Sequence, residues 1–446
     1  MSALFLTMKF VADLHLHSKY SMAVSPKMVI PEIYRWAKIK GINLVGTGDF
    51  THPFWFSQLK KDLKETGKGL FTFRDGLDDV HFLLTTEVSS IYSQGGKGRR
   101  IHNLIFAPSF EVVEKINKKL SSRGSLSSDG RPILGISAKE LAETIFEIDP
   151  QIILVPAHIW TPWFSLYGSN SGFNSIEDCF GDFSKYIYAI ETGLSSDPAM
   201  NWRIKELDSR QILSFSDAHS PQKLGREATV IDMEASYASF YEALKTGKGV
   251  EFTIEFYPEE GKYHYTGHRN CNIRHSPSET QKLGTICPVC GKILTVGVMH
   301  RVDELSKRSD SEIGLIVKEI SLNDAVKVRS VSSKNLNRPF YFNLVPLSEI
   351  IAEAQGVGVE TIQVKVEFDR LISHFGSEFS VLLKAPVKEI AKIVNERVAQ
   401  GIEKVRKGDI FVDPGYDGVY GKVQIWHGDK TAQNQESQEQ QIALFG

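Results

Sequence analysis

The chain has 446 residues, 41% hydrophobic and 24% charged, with a formal net charge of −2. That balance fits two or three well-buried domains and excludes a globally basic polyanion binder, so any surface for nucleic acid has to be local. Four cysteines are too few for a disulfide scaffold, and no apolar run reaches the length of a bilayer span.

The opening MSALFLTMK is apolar but short and lacks a basic n-region, which predicts a cytoplasmic protein without a signal peptide. From residue 10 to about 250, strand-like apolar runs alternate with helix-like segments. The first run, FVADLHLHSKYS, sets Asp13, His15 and His17 at every second position, so a strand would turn all three to one face. PKMVIPEIYRWAKIKG then reads as a helix with Gly41 as its stop, and INLVGTGDF ends at Asp49 with His52 just beyond. VHFLLTTEV and RRIHNLIF carry Glu87 and His102 and are joined by the hairpin-like SQGGKGRR. SAKELAETIFEIDP predicts a helix with Ser137 as its N-cap. QIILVPAHIW, YIYAIETG and QILSFSDAH end in His158, in Glu191, and in Asp217 with His219. Repeated strand–helix units predict an α/β fold, a parallel barrel or an open sheet. The favoured form is a distorted TIM-like barrel over 1–250, made irregular by the hairpin between the Glu87 and His102 strands, whose strand ends collect these groups on one face.

Past residue 250 the texture changes. A small module over 251–305 contains His268-x2-Cys271 and Cys287-x2-Cys290, which has zinc-ribbon spacing. Four closed ligands predict one structural zinc. His275 competes with His268 for a place, and a redox role for the CxxC pair is the alternative. Between Gly261 and Val302 stand six basic residues against one acid, Glu279. This excess suits phosphate contact, or is a solvated basic face. Residues 306–340 carry no clear pattern. VPLSEIIAEAQG and APVKEIAKIVNERVAQGIEKVRKG predict a mainly helical region over 306–426, and 427–446 predicts a disordered tail.

Imidazoles and carboxylates arriving from separate strands suit divalent metals such as zinc, manganese, magnesium or iron, and a carboxylate such as Glu87 can bridge two ions. Such ions acidify a bound water and neutralise a phosphate under attack. Asp49, His52, Glu87 and His219 are the candidate catalytic groups, and Asp13 is expected to steady His15 and His17 from behind. Trp160, Trp163, Phe164 and Tyr167 follow His158 closely and could stack on an unpaired base or pack as a lid. Arg99 and Arg100 in the hairpin, with Arg269 and Arg274 in the zinc module, are candidate DNA contacts.

The HLH pair, GTGDFTH, Glu87, HNLIFAP, AHIW and SDAH resemble the motifs of the PHP (polymerase and histidinol phosphatase) superfamily. The resemblance implies phosphoester hydrolysis with two or three divalent metals, and carries His15, His17, Glu87, His102, His158, Asp217 and His219 over as ligands. Many members place a His directly after the second-motif Asp. Here Phe50 follows Asp49 and His52 comes later, so both Asp49 and His52 stand as candidates. Beyond these, YAIETGLSSDP, SDAHSPQKLGREAT, GHRNC with CPVCGK, and PGYDGVYGKVQIW resemble the endonuclease Q family of DNA-repair nucleases. That resemblance implies a PHP barrel, a zinc module and a helical C-terminal part. It implies cleavage by metal-activated water on the 5′ side of a deaminated base (uracil, hypoxanthine, xanthine) or an abasic site, with the lesion flipped out. The closing QIALFG, with Gln441, Ile442, Leu444 and Phe445, is similar to the pentapeptide by which bacterial proteins dock on the sliding clamp. The competing readings are a PHP-type phosphatase or exonuclease acting on nucleotides or DNA ends, and a clamp-tethered scaffold with an inactive barrel.

Overall fold

Short runs of β-branched and large apolar residues, each cut off by a polar or glycine-bearing turn, form the central strands of the computed structural model, which describes residues 10–426. In chain order these are β1 (Phe10–Asp13), β2 (Leu44–Gly46), β3 (His81–Gln94), β4 (Lys97–Ala107), β5 (Ile153–Pro156), β6 (Ala189–Glu191), β7 (Gln211–Leu213), β8 (Ala228–Ile231) and β9 (Val250–Glu255). Three further strands, β10 (Leu315–Ser321), β11 (Lys327–Ser333) and β12 (Phe340–Asn343), follow. The main sheet runs β10-β11-β12-β9-β8-β1-β2-β3, and β4 joins β3 to β5.

The hairpin expected between the Glu87 and His102 strands is present, and two other features of the expected parallel barrel change. The ladders are mixed: β1–β2 and β2–β3 are parallel, whereas β3–β4, β4–β5 and β1–β8 are antiparallel. The closed barrel is not formed by backbone pairing either, because among the described residues no ladder joins β5 to β6 or β7 to β8. The parallel pair β6–β7 is only three residues long. At its ends isolated bonds cross the gaps. The Ile159 amide donates to the Glu191 carbonyl at 3.2 Å and the His158 amide to the Glu191 carboxylate at 2.8 Å. The Ser214 amide donates to the Thr229 hydroxyl at 2.9 Å, and that hydroxyl donates to the Ser214 carbonyl at 3.1 Å. A side chain therefore takes the donor that a closing ladder would have used.

Local signals hold elsewhere. The first helix, Ile30–Lys40, ends at Gly41 in a left-handed conformation with φ 88°. Ser137 caps Ala138–Ile148 in a capping box with Glu140. The unassigned stretch after 306 supplies β10–β12, and β12 pairs with β9 in parallel, so the central sheet continues across the expected domain boundary. Helices then occupy Leu347–Gln355, Ile362–Phe375, Glu378–Leu383, Val387–Ile393 and Glu396–Lys407. Lys40 and Glu378, both nearly inaccessible, form an ion pair at 2.5 Å that ties the first helix to this bundle. Alternation in the strands fills one core with Ala12, Leu44, Leu83, Leu104, Val155 and Leu213, and leaves the strand ends polar.

Candidate metal centre

The polar strand ends meet. His15 and His17 lie just past β1, Glu87 lies within β3, and His102 lies on the neighbouring β4. His158 follows β5, and Asp217 and His219 follow β7. Three groups of ligand atoms, each within 4.8 Å, result: His15, His17 and Glu87; His17, Asp217 and His219; Glu87, His102 and His158. Glu87 and His17 each belong to two of them.

The distances describe a donor cage. One Glu87 oxygen is 2.7 Å from His102 Nδ1 and 3.1 Å from His158 Nε2, while the other is 3.4 Å from His17 Nε2 and 3.8 Å from His15 Nε2. Asp217 Oδ1 lies 3.2 Å from His17 Nε2, 3.5 Å from His15 Nε2 and 3.6 Å from His219 Nδ1. His15 Nε2, His17 Nε2 and Asp217 Oδ1 are buried with no hydrogen-bond partner. Unsatisfied buried lone pairs aimed at a common point are costly unless a cation takes them, so these residues fit divalent ions. The backbone is strained here as well: His158 (φ 33°) and Asp217 (φ 47°) hold left-handed conformations. Gly193 makes the first possible, since a Cβ there would come within 2.3 Å of the His158 Cβ.

The far side of the His15 and His17 imidazoles is fixed by a carboxylate. His15 Nδ1 bonds Glu191 at 2.8 Å, and the same carboxylate accepts the His158 backbone N–H at 2.8 Å. His17 Nδ1 bonds Asp49 at 3.0 Å, and Asp49 also accepts from the Ser18 amide and the Ser21 hydroxyl. Burial disfavours charge on both rings. Against it, Glu191 and Asp217 hold His15, and Asp49 and Asp217 hold His17, well above the usual histidine range. Burial would raise Glu87, but His102 beside it keeps that carboxylate well below its ordinary value. His102 itself is pushed down to about 4, chiefly by burial.

The remaining predicted residues separate clearly. Asp49 orients His17 and lies outside the three donor groups, as does His52, whose ring stacks on Tyr20 at 4.4 Å. Asp13 does not touch the histidines: it accepts from the Ser216 amide and hydroxyl and the Gly225 amide, bracing the segment that carries Asp217. Trp160 and Tyr167 are buried, with Trp160 donating to Asn201 and Tyr167 to Glu206, so neither offers a face to a base. Trp163 is 36% exposed beside Tyr263, and Phe164 packs on His102 at 4.8 Å. Arg99 is held on Phe173 and by the Gly172 carbonyl, and Arg274 pairs with Asp413 at 2.6 Å. Arg100 and Arg269 are exposed. Gln441, Ile442, Leu444 and Phe445 lie outside the described residues.

Sequence reasoning left two residues without a role. Glu191 stood among the polar strand ends, yet its link to His15 spans 176 positions. Arg131 enters the cage from an irregular loop, with Nη1 3.4 Å from Glu87, and had no pattern to announce it.

A second cluster gathers His268, Cys271, Cys287 and Cys290, with all four donor atoms within 4.8 Å. His268 stands at the end of the short strand Thr266–His268, whereas His275 is buried on its partner strand and outside the cluster. Burial opposes ionisation of Cys287, but the Cys290 and Val289 amides and His268 bring its thiol down to about 6.

Fold and donor set together define an α/β protein built to use divalent metal ions. Comparison with known proteins narrows this. The crystal structure of the lesion-specific endonuclease PfuEndoQ from Pyrococcus furiosus is 34% identical, covers 96% of this chain and 98% of its own, and superposes with a TM-score of 0.78. An Endonuclease Q complex with a 27-mer duplex bearing an abasic lesion at the active site is 35% identical over 94% of this chain and 97% of its own, again at 0.78. YqxK of Bacillus subtilis is 29% identical over 93% of this chain and 99% of its own length. MJ0043 of Methanocaldococcus jannaschii is 35% identical over 59% of this chain, a match that spans only 31% of that longer protein. Residues 346–409 match the family described as the MJ0043 C-terminal domain. The chain belongs to the endonuclease Q family.

Proposed function

We propose that this protein is a metal-dependent DNA-repair endonuclease that nicks the strand on the 5′ side of deaminated bases (uracil, hypoxanthine, xanthine) and abasic sites. The observation that carries this reading is a cavity of about 470 Å³ whose lining includes two cage residues, His158 and Asp217. It is large enough for a single nucleotide and opens beside the metal donors. Leu194, Phe256 and Tyr263 supply apolar wall, and Lys223, Arg226 and Lys262 line it beside the carboxylates Glu260 and Glu349. Lys223 is paired to Glu349 at 3.2 Å, and Arg226 donates to the Ser216 carbonyl at 3.0 Å. Deamination replaces an exocyclic amine with a carbonyl. The Lys262 ammonium can only donate, and so favours that carbonyl over the amine of the parent base. An abasic nucleotide needs no unpairing at all, which lowers the cost of its extrusion. The family relatives, one described as lesion-specific and one bound to an abasic duplex, support the same substrate class.

Divalent ions, when bound, neutralise phosphate charge and acidify a water, and the three overlapping donor groups offer places for two or three of them. The protein's own part is orientation. Glu191 and Asp49 aim the imidazoles, Glu87 is shared between donor groups, and the cavity holds the lesion aside while the phosphate meets the cage. The His268, Cys271, Cys287 and Cys290 cluster is closed, so we assign it to one structural zinc that stabilises its module. Residues 441–445 are assigned to sliding-clamp docking, and deleting 441–446 is expected to abolish clamp pull-down while short oligonucleotides are still incised.

The test uses protein loaded with magnesium or manganese and end-labelled duplexes containing uracil, hypoxanthine, an abasic site or no lesion. Incision 5′ of each lesion and none of the intact duplex is expected. No incision at any lesion by protein with confirmed metal content refutes the reading. Release of terminal nucleotides from undamaged DNA would establish an exonuclease instead.

A further inference from the structure

Arg131 stands beside the metal cage without being a metal donor. Its Nη1 is 3.4 Å from the Glu87 carboxylate, and its side chain is 26% exposed. The loop that carries it is fixed on several sides. The Gly130 amide donates to the Tyr20 carbonyl at 3.0 Å, the Arg131 amide donates to Asp129 at 2.9 Å, and the Pro132 carbonyl accepts from the Ser89 amide at 3.0 Å. A Cβ on Gly130 would fall 2.3 Å from both an Asp49 oxygen and the Ser21 hydroxyl, so only glycine lets this turn sit against the group that orients His17. The guanidinium is thus aimed, and the aim depends on the same Asp49 that fixes a metal donor.

A guanidinium offers five N–H donors, and among the described residues this one's side chain spends a single long hydrogen bond, on Glu87. A permanent cation held next to a cage for divalent cations is unfavourable on its own. Once ions share the Glu87 and Asp217 charges, Arg131 keeps only Asp129 and Asp49 against it, which favours an anion arriving with the metals. The planar fork matches a phosphate, which it can grip through two parallel N–H bonds.

We propose that Arg131 is a catalytic residue that donates hydrogen bonds to a non-bridging oxygen of the scissile phosphate. This rests on the endonuclease reading above. In the hydrolysis, a water oxygen forms the new bond to phosphorus, the bond from phosphorus to the leaving sugar oxygen breaks, and the leaving oxygen ends with a proton that water supplies. Negative charge grows on the non-bridging oxygens as the new bond forms, so a donor fixed there binds the transition state more tightly than the ground state.

The experiment compares wild type, Arg131→Lys and Arg131→Ala, each loaded with manganese, on a duplex with one abasic site. The single-turnover rate is expected to fall by about 10²–10³-fold in Arg131→Ala and by less in Arg131→Lys, with metal content and duplex affinity retained. A phosphorothioate at the scissile position supplies a readout that a structural role would not move. The diastereomer with sulfur toward Arg131 should be slowed in wild type, and Arg131→Ala should lose that extra slowing. Added guanidinium ion should restore part of the lost rate. The inference is overturned if metal content falls in step with rate, if the sulfur effect is the same in both proteins, or if Arg131→Ala stays within threefold of wild type. Wild type that incises no lesion would instead refute the endonuclease reading itself.

Discussion

Glu191→Gln should uncouple two metal donors at once. The wild-type carboxylate, fully buried at the end of β6, lies 2.8 and 3.1 Å from His15 Nδ1 through its two oxygens and accepts the His158 backbone N–H at 2.8 Å. The amide keeps the shape but has one acceptor oxygen and no charge, so one of these bonds is lost and the other weakened. A hydrogen bond to a charged group is worth about 1.5–3 kcal/mol, which is roughly a 10- to 150-fold change in an equilibrium constant. Substitutions behind metal-binding histidines typically cost about 10–100-fold in metal affinity or activity, the same range. The assay titrates manganese into metal-free protein while following single-turnover incision of an abasic duplex, with thermal unfolding as the control for folding. The manganese midpoint should rise about 10–100-fold while the metal-saturated rate falls less. A midpoint within threefold of wild type, in a variant that unfolds at the wild-type temperature, would refute the claim that Glu191 orients the donors.

Glu255 lies fully buried at the end of β9, and burial pushes its carboxyl up to about 8. The native state keeps this proton where the unfolded chain releases it near its ordinary 4.5, so stability should decline as pH rises from about 4.5 to about 8 and then level off. Glu255→Gln should make the fall in melting temperature across that window shallower, with Glu227 and Glu260, which burial also raises, supplying the remainder. Parallel curves for variant and wild type would contradict the assignment. Cys287→Ser should release one equivalent of metal by elemental analysis while the cage metals remain, and unchanged metal content would rule out the four-ligand site. Glu378→Ala leaves Lys40 buried and unpaired, which should cost about 3–5 kcal/mol in urea denaturation. Replacing both partners with apolar residues should recover part of that loss, the remainder being the Leu347 amide that loses its bond to Glu378. Equal losses would show the ion pair is not the cause. Trp163→Ala should weaken binding to lesion duplexes at an unchanged melting temperature, whereas Trp160→Ala, which empties a buried site, should lower the melting temperature.

Legibility in the sequence followed the range of the physics. Helix ends are decided within four residues, and so the Gly41 stop and the Ser137 cap were readable. Closure of the barrel depends on whether two three-residue strands find carbonyl partners, and the hydroxyl of Thr229 intercepting the Ser214 amide leaves no trace in periodicity. The loop after His158 alternates neither by two nor by 3.6, and Phe164 sits at φ 63°, so aromatic content alone could not divide Trp160 and Tyr167 in the core from Trp163 at the surface. Spacing favours His268, with His275 able to replace it. The ribbon puts both on one face, but His268 sits beside the turn that carries Cys271 while His275 lies opposite Thr266 at the other end.

The seven donors were legible because ligation restricts residue type, and few chemistries other than metal binding gather so many imidazoles and carboxylates at strand ends. Ligation and orientation, however, draw on the same residue types. Asp49 and Asp217 each end a glycine- or serine-rich turn, each holds φ 47°, and each lies within 3.2 Å of a His17 nitrogen. What divides them is the fate of their oxygens. Both Asp49 oxygens are taken, by His17, Ser18 and Ser21, whereas Asp217 Oδ1 and the Nε2 atoms of His15 and His17 are buried and unclaimed. Unclaimed buried atoms occur elsewhere, as at His52 Nδ1, so what marks Asp217 is that its free oxygen converges with the free nitrogens of His15 and His17. By that convergence Asp217 fits a metal ligand and Asp49 fits a group that aims His17, a distinction made by three-dimensional bookkeeping of lone pairs.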